Sequence, residues 1–303
     1  MQTVKYFLVL SAAFLITMNA HSQTGHYILG SVGNKGGFRP ATGIFVQSKT
    51  SWYRAKHFYD DNGTRFSVAA TIEYLTQEFV FSHTTKLNVL GGKYIYQGGL
   101  LLGNTALDYS AESIYTGGIG FMDPYISPVG IFWQNERMNA IFEYGIYLPI
   151  GRFNGEDLSN RGKGFLTHMF AFTTTFDLDK FQKWTATIKP AVEIHQKTSE
   201  TVRLAGNNAH IEFAMAYQTF DRWEFGFVGY AQWQLTKDQN FNTNIPDSTT
   251  EFKDQIFALG PEMAYTVAQW NTRFALRANF EIAGKNRLQG RMITLQIDFY
   301  PNE

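Results

Sequence analysis

The stretch Arg291 to Tyr300, R-M-I-T-L-Q-I-D-F-Y, limits most what this chain can become. Ile293, Leu295, Ile297 and Phe299 fall on one side, and Met292, Thr294, Gln296, Asp298 and Tyr300 on the other. Strict alternation marks a strand with one apolar and one polar face. Two aromatics end it, and only Pro301, Asn302 and Glu303 follow. If the apolar face meets lipid, this last strand must pair with the first, because hydrocarbon tolerates no open sheet edge. If that face meets a core, the strand is the edge of a soluble sandwich.

The rest of the chain decides between the two. Its 303 residues fit a single barrel domain. Aromatics are 16% of the residues, with 27 Phe, 16 Tyr and 6 Trp, which suits lipid-facing rings and aromatic girdles. Lys+Arg and Asp+Glu balance at 26 each, so no basic field points to nucleic acid as a partner. Lys5, the apolar run Tyr6 to Met18 and Ala20-His21-Ser22 predict a secretory signal peptide over residues 1–22, cleaved to leave a mature domain of residues 23–303. The absence of cysteine excludes disulfides, thiolate metal sites and lipidation of a terminal Cys. Past the signal, no stretch of about 18 apolar residues predicts a transmembrane helix.

From there about twelve alternating segments follow, near 42–54, 66–80, 88–108, 121–134, 137–149, 166–178, 184–197, 208–220, 223–236, 254–267, 271–283 and 290–300. Trp184, Ala186, Ile188, Val192 and Ile194 oppose Thr185, Thr187, Lys189, Glu193 and His195. Trp223, Phe225, Phe227, Trp233 and Leu235 oppose Glu224, Tyr230, Gln232 and Gln234. Phe274, Leu276, Phe280 and Ile282 oppose Arg273, Arg277, Asn279 and Glu281. A charged face opposite a bulky apolar one is what a membrane barrel needs, with lipid outside and a polar lumen inside. The amphipathic, aromatic-ended final strand resembles the closing strand of bacterial outer-membrane barrels.

The connections favour the barrel. Odd-numbered ones are expected to be extracellular and long: Tyr59-Asp60-Asp61-Asn62-Gly63, Gly151 to Gly164, and Lys237 to Glu251. Even-numbered ones are tight: Gln134 to Arg137, Phe220 to Arg222, and Ala268 to Asn271. The Gly-rich residues 23–40 read as a periplasmic lead-in at or within the barrel mouth. Gly91-Gly92 and Gly98-Gly99 in the third strand, and the glycines between Tyr115 and Gly120, predict bulges or a side passage between strands three and four. Pro124, Pro128, Pro149, Pro190 and Pro261 predict bulges, strand ends or pairing gaps.

Three stretches carry a family resemblance: Asp123-Pro124-Tyr125-Ile126-Ser127-Pro128, Tyr147-Leu148-Pro149-Ile150-Gly151-Arg152-Phe153, and Leu259-Gly260-Pro261-Glu262-Met263-Ala264-Tyr265. In order and spacing they resemble the outer-membrane proteins associated with the meta-pathway of phenol degradation. So do the Gly-rich opening, Ala41-Thr42-Gly43, the Tyr-Asp-Asp-Asn-Gly turn and Gly284-Lys285-Asn286-Arg287. Leu148 to Phe153 is also similar to the wider group of hydrophobic-compound and fatty-acid channels. The resemblance implies an outer-membrane barrel that helps small aromatic or hydrophobic compounds cross.

The expected inward residues are Lys49, Glu73, Glu143, Lys189, Glu193, His195, Glu212, Arg273, Arg277, Glu281 and Asp298. Lumen-lining candidates are Glu143, Tyr147, Lys189, Glu193, His195, Tyr230, Arg273 and Arg277. Both signs occur, as they would if a narrow interior were filled by compensating ion pairs. A strongly selective pore would show one dominant sign. His26, His57, His83, His168, His195 and His210 are scattered, and no His-x-Ser pair on a strand, His-Glu-x-x-His, Gly-x-Ser-x-Gly or phosphate loop occurs. No catalytic residue, metal or cofactor is therefore expected. The reading is an all-β, antiparallel transmembrane barrel of about twelve strands in the outer membrane of a Gram-negative cell. Its partners are outer-membrane lipid, the barrel assembly machinery and a small hydrophobic or aromatic ligand that crosses passively. The alternative is a structural or adhesion barrel with a plugged lumen and partner-binding extracellular loops.

Overall fold

The computed structural model describes residues 25–109, 113–116, 118–154, 160–199, 201–241 and 253–301. The expected signal peptide lies outside them, as do parts of the two longest predicted loops. Twelve long strands form the wall: β1 (Gly43–Tyr59), β2 (Arg65–Val89), β3 (Gly92–Tyr109), β4 (Tyr125–Gln134), β5 (Met138–Tyr147), β6 (Phe165–Asp177), β7 (Trp184–Lys197), β8 (Asn208–Gln218), β9 (Trp223–Gln234), β10 (Gln255–Val267), β11 (Thr272–Lys285) and β12 (Arg287–Phe299). Each pairs antiparallel with the next, and β1 pairs with β12 from Val46↔Phe299 to Tyr59↔Arg287, so the sheet closes. Closure leaves the wall without an edge. Among the described residues no helix is long and apolar enough to cross a membrane, which bears only on helices.

The alternation resolves as an inverted interior. Arg277 is 1% exposed, while its neighbour Leu276 is 46% exposed. The same holds for Glu193 at 2% beside Val192 at 36%. Charged residues thus face a closed interior and large apolar residues face out, the reverse of a soluble core. Trp133, Trp184, Trp223 and Trp270 cluster toward the end of the barrel where β12 terminates, with Trp184 against Tyr217 and Trp223 against Tyr265. Such a girdle suits a headgroup boundary, where an apolar ring with a polar edge is at home.

The prolines interrupt pairing as their missing N–H requires. Pro128 sits in a register shift between Ile126 and Val129. Pro124 and Pro149 flank β4 and β5. Gly260-Pro261 interrupts the β10–β11 ladder between Leu259↔Phe280 and Glu262↔Arg277. Pro190 leaves a similar gap between Ala171↔Ala191 and Thr174↔Ile188. β3 and β4 are irregular, with a shift between Ile95 and Gln97, and they pair only from Gly99↔Tyr125 to Lys93↔Phe132. The rest of β3 pairs with Ser113–Thr116 and Gly120–Phe121. In that part of the wall β3 therefore meets these returning segments and not β4.

Three expectations are corrected. The first connection is a tight turn, closed by Asp60 N–H to Thr64 O at 3.0 Å and Gly63 N–H to Asp60 O at 3.1 Å. The eleventh, also odd-numbered, is Asn286 alone, at φ 48°. Loop length therefore does not follow strand parity all round the rim. Glu73 faces outward, not inward. It pairs with outward Arg54 and accepts a hydrogen bond from Trp52 Nε1 at 2.7 Å, while Ile72 takes the inward place. A polar residue at the border of the apolar band reports height in the bilayer as readily as which face it occupies. Third, residues 25–38 do not stop at the mouth but pass through the lumen, as described below.

A Cβ on Gly260 would lie 1.6 Å from Ala278 O, a backbone atom that cannot step aside. Gly260→Val is expected to cost about 1–3 kcal/mol as an overpacking change. A urea-unfolding midpoint equal to that of the unsubstituted protein would show the close approach to be absent.

Candidate functional site

The lumen holds a strand-free segment of this same chain. Residues 25–38 descend from the loop end, where Tyr147 ends β5 and Phe165 begins β6, to the opposite end near Lys35. The segment makes its own turns, Gly36 N–H to Gly33 O at 3.3 Å and Phe38 N–H to Lys35 O at 3.0 Å. Toward the wall, its backbone donors go to side chains. His26 and Tyr27 N–H both donate to Glu193 Oε1 at 3.0 Å. Gly30 and Val32 N–H donate to the two oxygens of Glu212 at 2.8 and 2.6 Å. Asn34 N–H donates to Glu262 Oε1 at 2.8 Å, and Gly37 N–H to Thr175 Oγ1 at 3.0 Å. Three carboxylates thus satisfy buried backbone donors that no sheet ladder serves, as burial demands.

Glycine lets the segment lie this close. A Cβ on Gly33 would meet Glu262 Oε2 at 1.8 Å and Arg277 Nη1 at 1.9 Å, and one on Gly25 would meet Glu193 Oε2 at 2.0 Å. Gly30 takes φ +77°, which favours glycine.

At the loop end His26 forms a latch. Its Nε2 lies 2.9 Å from Asp123 Oδ2 and its Nδ1 2.7 Å from Thr167 Oγ1. Thr167 is 2.7 Å from His195 Nδ1, and His195 Nε2 is 3.3 Å from Asn208 Nδ2. Burial holds the His26 imidazole below its ordinary pKa despite Asp123, so it is neutral at neutral pH. The carboxylate accepts from Nε2–H, so Nδ1 accepts from the Thr167 hydroxyl. Thr167 in turn accepts from His195 Nδ1–H, and Asn208 donates to His195 Nε2. Each ring nitrogen and the Thr167 hydroxyl has one consistent role, with both imidazoles neutral. Burial alone would raise the Asp123 carboxyl, but hydrogen bonds from His26, Lys163 N–H and Gly151 N–H outweigh it and hold it below the usual range.

Below the latch, rings stack. Tyr147 lies against His26 at 5.1 Å and 17°, His210 against Tyr27 at 4.5 Å and 12°, and Tyr125 against Tyr147 at 4.9 Å. With Leu29, Met169 and Ile256 these tyrosines make an apolar collar inside an otherwise polar lumen. Beside it, Lys189 Nζ sits 3.1 Å from Glu143 and 4.6 Å from the Tyr27 ring, and Gln97 also donates to Glu143. Tyr230 and Tyr53 both donate to Glu281 at 2.9 Å. At the far end Arg273 contacts Glu224 at 2.8 Å, Glu262 at 3.4 Å and Asp298 at 3.5 Å. Lys35 joins it at Glu224, 2.9 Å away, and Arg277 binds Glu262 at 2.9 Å.

All eight candidates lie buried in the lumen, in three groups: Glu193, His195 and Tyr147 with the latch, Glu143 and Lys189 beside the collar, and Arg273 with Arg277 at the far end. Tyr230 belongs with Glu281 and the collar. Sequence reasoning missed His26, Tyr27, Asp123, Tyr125, Thr167 and Glu262, and placed Glu212 inward without a partner. The one signal for the segment was its glycine content. Between segment and wall lies a cavity of about 70 Å³ reaching Lys49, Glu78, Gln97 and Glu143, room for about two waters. Among the described residues no three His, Asp or Glu are grouped to hold a metal.

A family model described as "Putative MetA-pathway of phenol degradation" matches residues 56–297. No curated protein matches the sequence. Among solved structures, an outer-membrane channel from Pseudomonas putida F1 superposes with a TM-score of 0.69 at 13% identity, over 86% of this chain and 96% of that one. At that identity the likeness is one of fold. The transport unit of the autotransporter AIDA-I from Escherichia coli follows at 0.49 and 9% identity, over 96% and 98%. A FadL homologue from Pseudomonas aeruginosa gives 0.39 and 8%, over 85% and 90%.

Glu212→Ala strands the N–H groups of Gly30 and Val32, a loss of about 1–3 kcal/mol in docking the segment. Hydrogen exchange over residues 28–34 is expected to quicken by about tenfold or more with the wall unchanged; unchanged exchange would show that Glu212 does not hold the segment. Because the folded Asp123 pKa is lowered, its contribution is present above its ordinary value and is lost as pH falls through the lower folded value. Protease access to residues 25–38 should therefore stay flat from neutral to mildly acid pH, and Asp123→Asn should raise it throughout.

Proposed function

The chain belongs to the family described as the MetA-pathway of phenol degradation, and from that premise we propose that it is an outer-membrane channel through which small hydrophobic or aromatic compounds pass. The observation that carries this reading is the aromatic collar. The plug's own rings, His26 and Tyr27, rest on the wall rings Tyr147 and His210. A guest ring offers the same offset stacking, so it exchanges for a plug ring at little cost in contact area. The plug can leave because side chains hold it rather than a continuous ladder, and each such bond is recovered in water. A compound entering at the loop end would meet the latch first, then the collar, then the polar far end. No step of this passage needs bond-making chemistry.

Once the plug is displaced, the lumen it leaves is acidic. Glu193, Glu212, Glu224 and Glu262 lose their partners on the segment, and Lys35 leaves with it. Arg273 and Arg277 remain to balance only the far-end carboxylates.

A second reading is favoured by the filled lumen itself, in which the segment leaves a cavity of about 70 Å³ beside Glu143. On that reading the barrel is structural, and its loops bind partners. Planar-bilayer conductance of the refolded mature protein separates the two. The channel reading expects a small conductance blocked by simple phenols, and a large, cation-selective one after deletion of residues 25–38. If the folded, plug-deleted barrel stayed silent, or if deleting the gene left uptake of every tested aromatic compound unchanged, the channel reading would be sunk.

A further inference from the structure

The outer wall carries a basic notch that the lumen does not use. It lies where the β11–β12 ladder ends at Phe280↔Arg291, short of the Asn286 turn. Two extra residues open the wall there: Ile282 in β11, opposite the Phe257/Ala258 shift, and Lys56 in β1, where the pairing jumps from Ala55 to His57. Bulges of this kind bend a strand away from its partner. The resulting cavity is about 470 Å³ and opens on the outward face, with Phe280 at 44% and Ile282 at 54% exposure on its rim.

Its charges are one-sided. Arg54 and Arg291 stand directly opposite each other across the seam that closes the barrel. Like charges so placed repel. Lys56, His57 and Arg65 complete the lining, with an Arg65 nitrogen 3.1 Å from the His57 ring. Against them stands Glu73, whose Oε2 is 3.6 Å from Arg54 Nε. Glu281 also lines the notch, but its carboxylate is spent on Tyr53, Tyr230 and the Gly290 N–H. Arg54 Nε is buried with no hydrogen-bond partner, Glu73 at 3.6 Å being beyond hydrogen-bond reach. A buried donor in a native fold is rarely left so, and an orphan donor in a cationic recess points to a missing acceptor-rich group.

Height supplies the identity of that group. One step along the same outward faces lie Trp52 and Ile293, and Arg291 stacks its guanidinium 5.6 Å from the Trp52 ring. The basic cluster thus begins where the apolar band stops, at the end of the barrel away from the chain's C-terminus. In outer-membrane barrels that end faces outward, and the headgroups at that height belong to the outer leaflet. We propose that the notch binds the phosphorylated headgroup of an outer-leaflet glycolipid of the lipid A class. Arg54 and Arg291 bracket a phosphate as forked donors, Lys56 and Arg65 add point charge, and Phe280, level with Arg291, meets the first methylenes of an acyl chain. The phosphate also relieves the repulsion across the seam. This rests on the outer-membrane placement and is independent of whether anything crosses the lumen.

The test is native mass spectrometry of the delipidated mature protein with diphosphoryl lipid A, its dephosphorylated form, phosphatidylglycerol or inorganic pyrophosphate. One diphosphoryl lipid A per barrel is expected, retained about tenfold or more better than the dephosphorylated lipid or phosphatidylglycerol. Arg54→Gln/Arg291→Gln should lower that retention by about tenfold, while Lys180→Gln/Arg222→Gln, at the other end, should not. Folding of each variant is checked by its heat-modifiable gel mobility. If the seam variant does not fold, Lys56→Gln/Arg65→Gln serves in its place. Equal retention by the notch and control variants overturns the proposal. So does equal retention of phosphatidylglycerol, which would indicate a general anionic surface. Displacement of the lipid by pyrophosphate at equal concentration would indicate a free-anion site and overturns it as well.

Discussion

No backbone N–H or C=O can be left unpaired against hydrocarbon, and the ladder between β1 and β12 is where this chain meets that requirement. Every other pairing joins strands adjacent in sequence and forms locally. The seam joins residues some 250 positions apart, such as Gln47 and Asp298, whose side chains also bond at 2.8 Å. Because it closes the ring, the inward face of each strand sees only other inward faces and whatever lies between them. The polar halves of the strands then become a buried interior, and their charges must find partners there.

The interior is solved with two devices. One is ordinary compensation, as in Arg273 among Glu224, Glu262 and Asp298. The other is the N-terminal segment, whose N–H groups occupy Glu193, Glu212 and Glu262. Glu262 also has Arg273 and Arg277, whereas Glu193 and Glu212 take hydrogen bonds from the segment's backbone. The segment supplies donors without supplying a strand, so it fills the lumen and remains separable from it. A plug made of added strands would have shared the ladder with the wall and could not leave without breaking it.

The outside and the inside use arginine differently. Arg273, Arg277 and Arg287 are buried and matched to carboxylates. Arg54 and Arg291 sit outside, opposite one another, with Glu73 as the nearest acid. The first arrangement stabilises a closed interior, and the second leaves charge turned to the membrane surface, where phosphate is the abundant counter-charge.

The strands, their number and their lipid-facing sides were legible in the sequence, because each residue's side of a strand follows from a period of two and needs no knowledge of its neighbours. The final strand announced closure for the same reason. The five prolines marked irregular pairing or strand ends, since a missing N–H acts locally, whereas Gly91-Gly92 makes the turn into β3 and Gly98-Gly99 pair in register. Glu73 was misplaced because polarity at the border of the apolar band reflects depth as well as face. The lumen segment was not legible. Residues 25–38 have no periodicity, and their partners, such as Glu193 for His26 and Glu262 for Asn34, lie 167 and 228 residues away. Nor was the latch, which joins His26, Asp123 and Thr167 from three separate elements. The sequence by itself determined a closed, inverted wall, because alternation is a local property. Only the tertiary structure decided what occupies the space inside that wall, because a lumen exists only after closure and its contacts have no spacing in the chain.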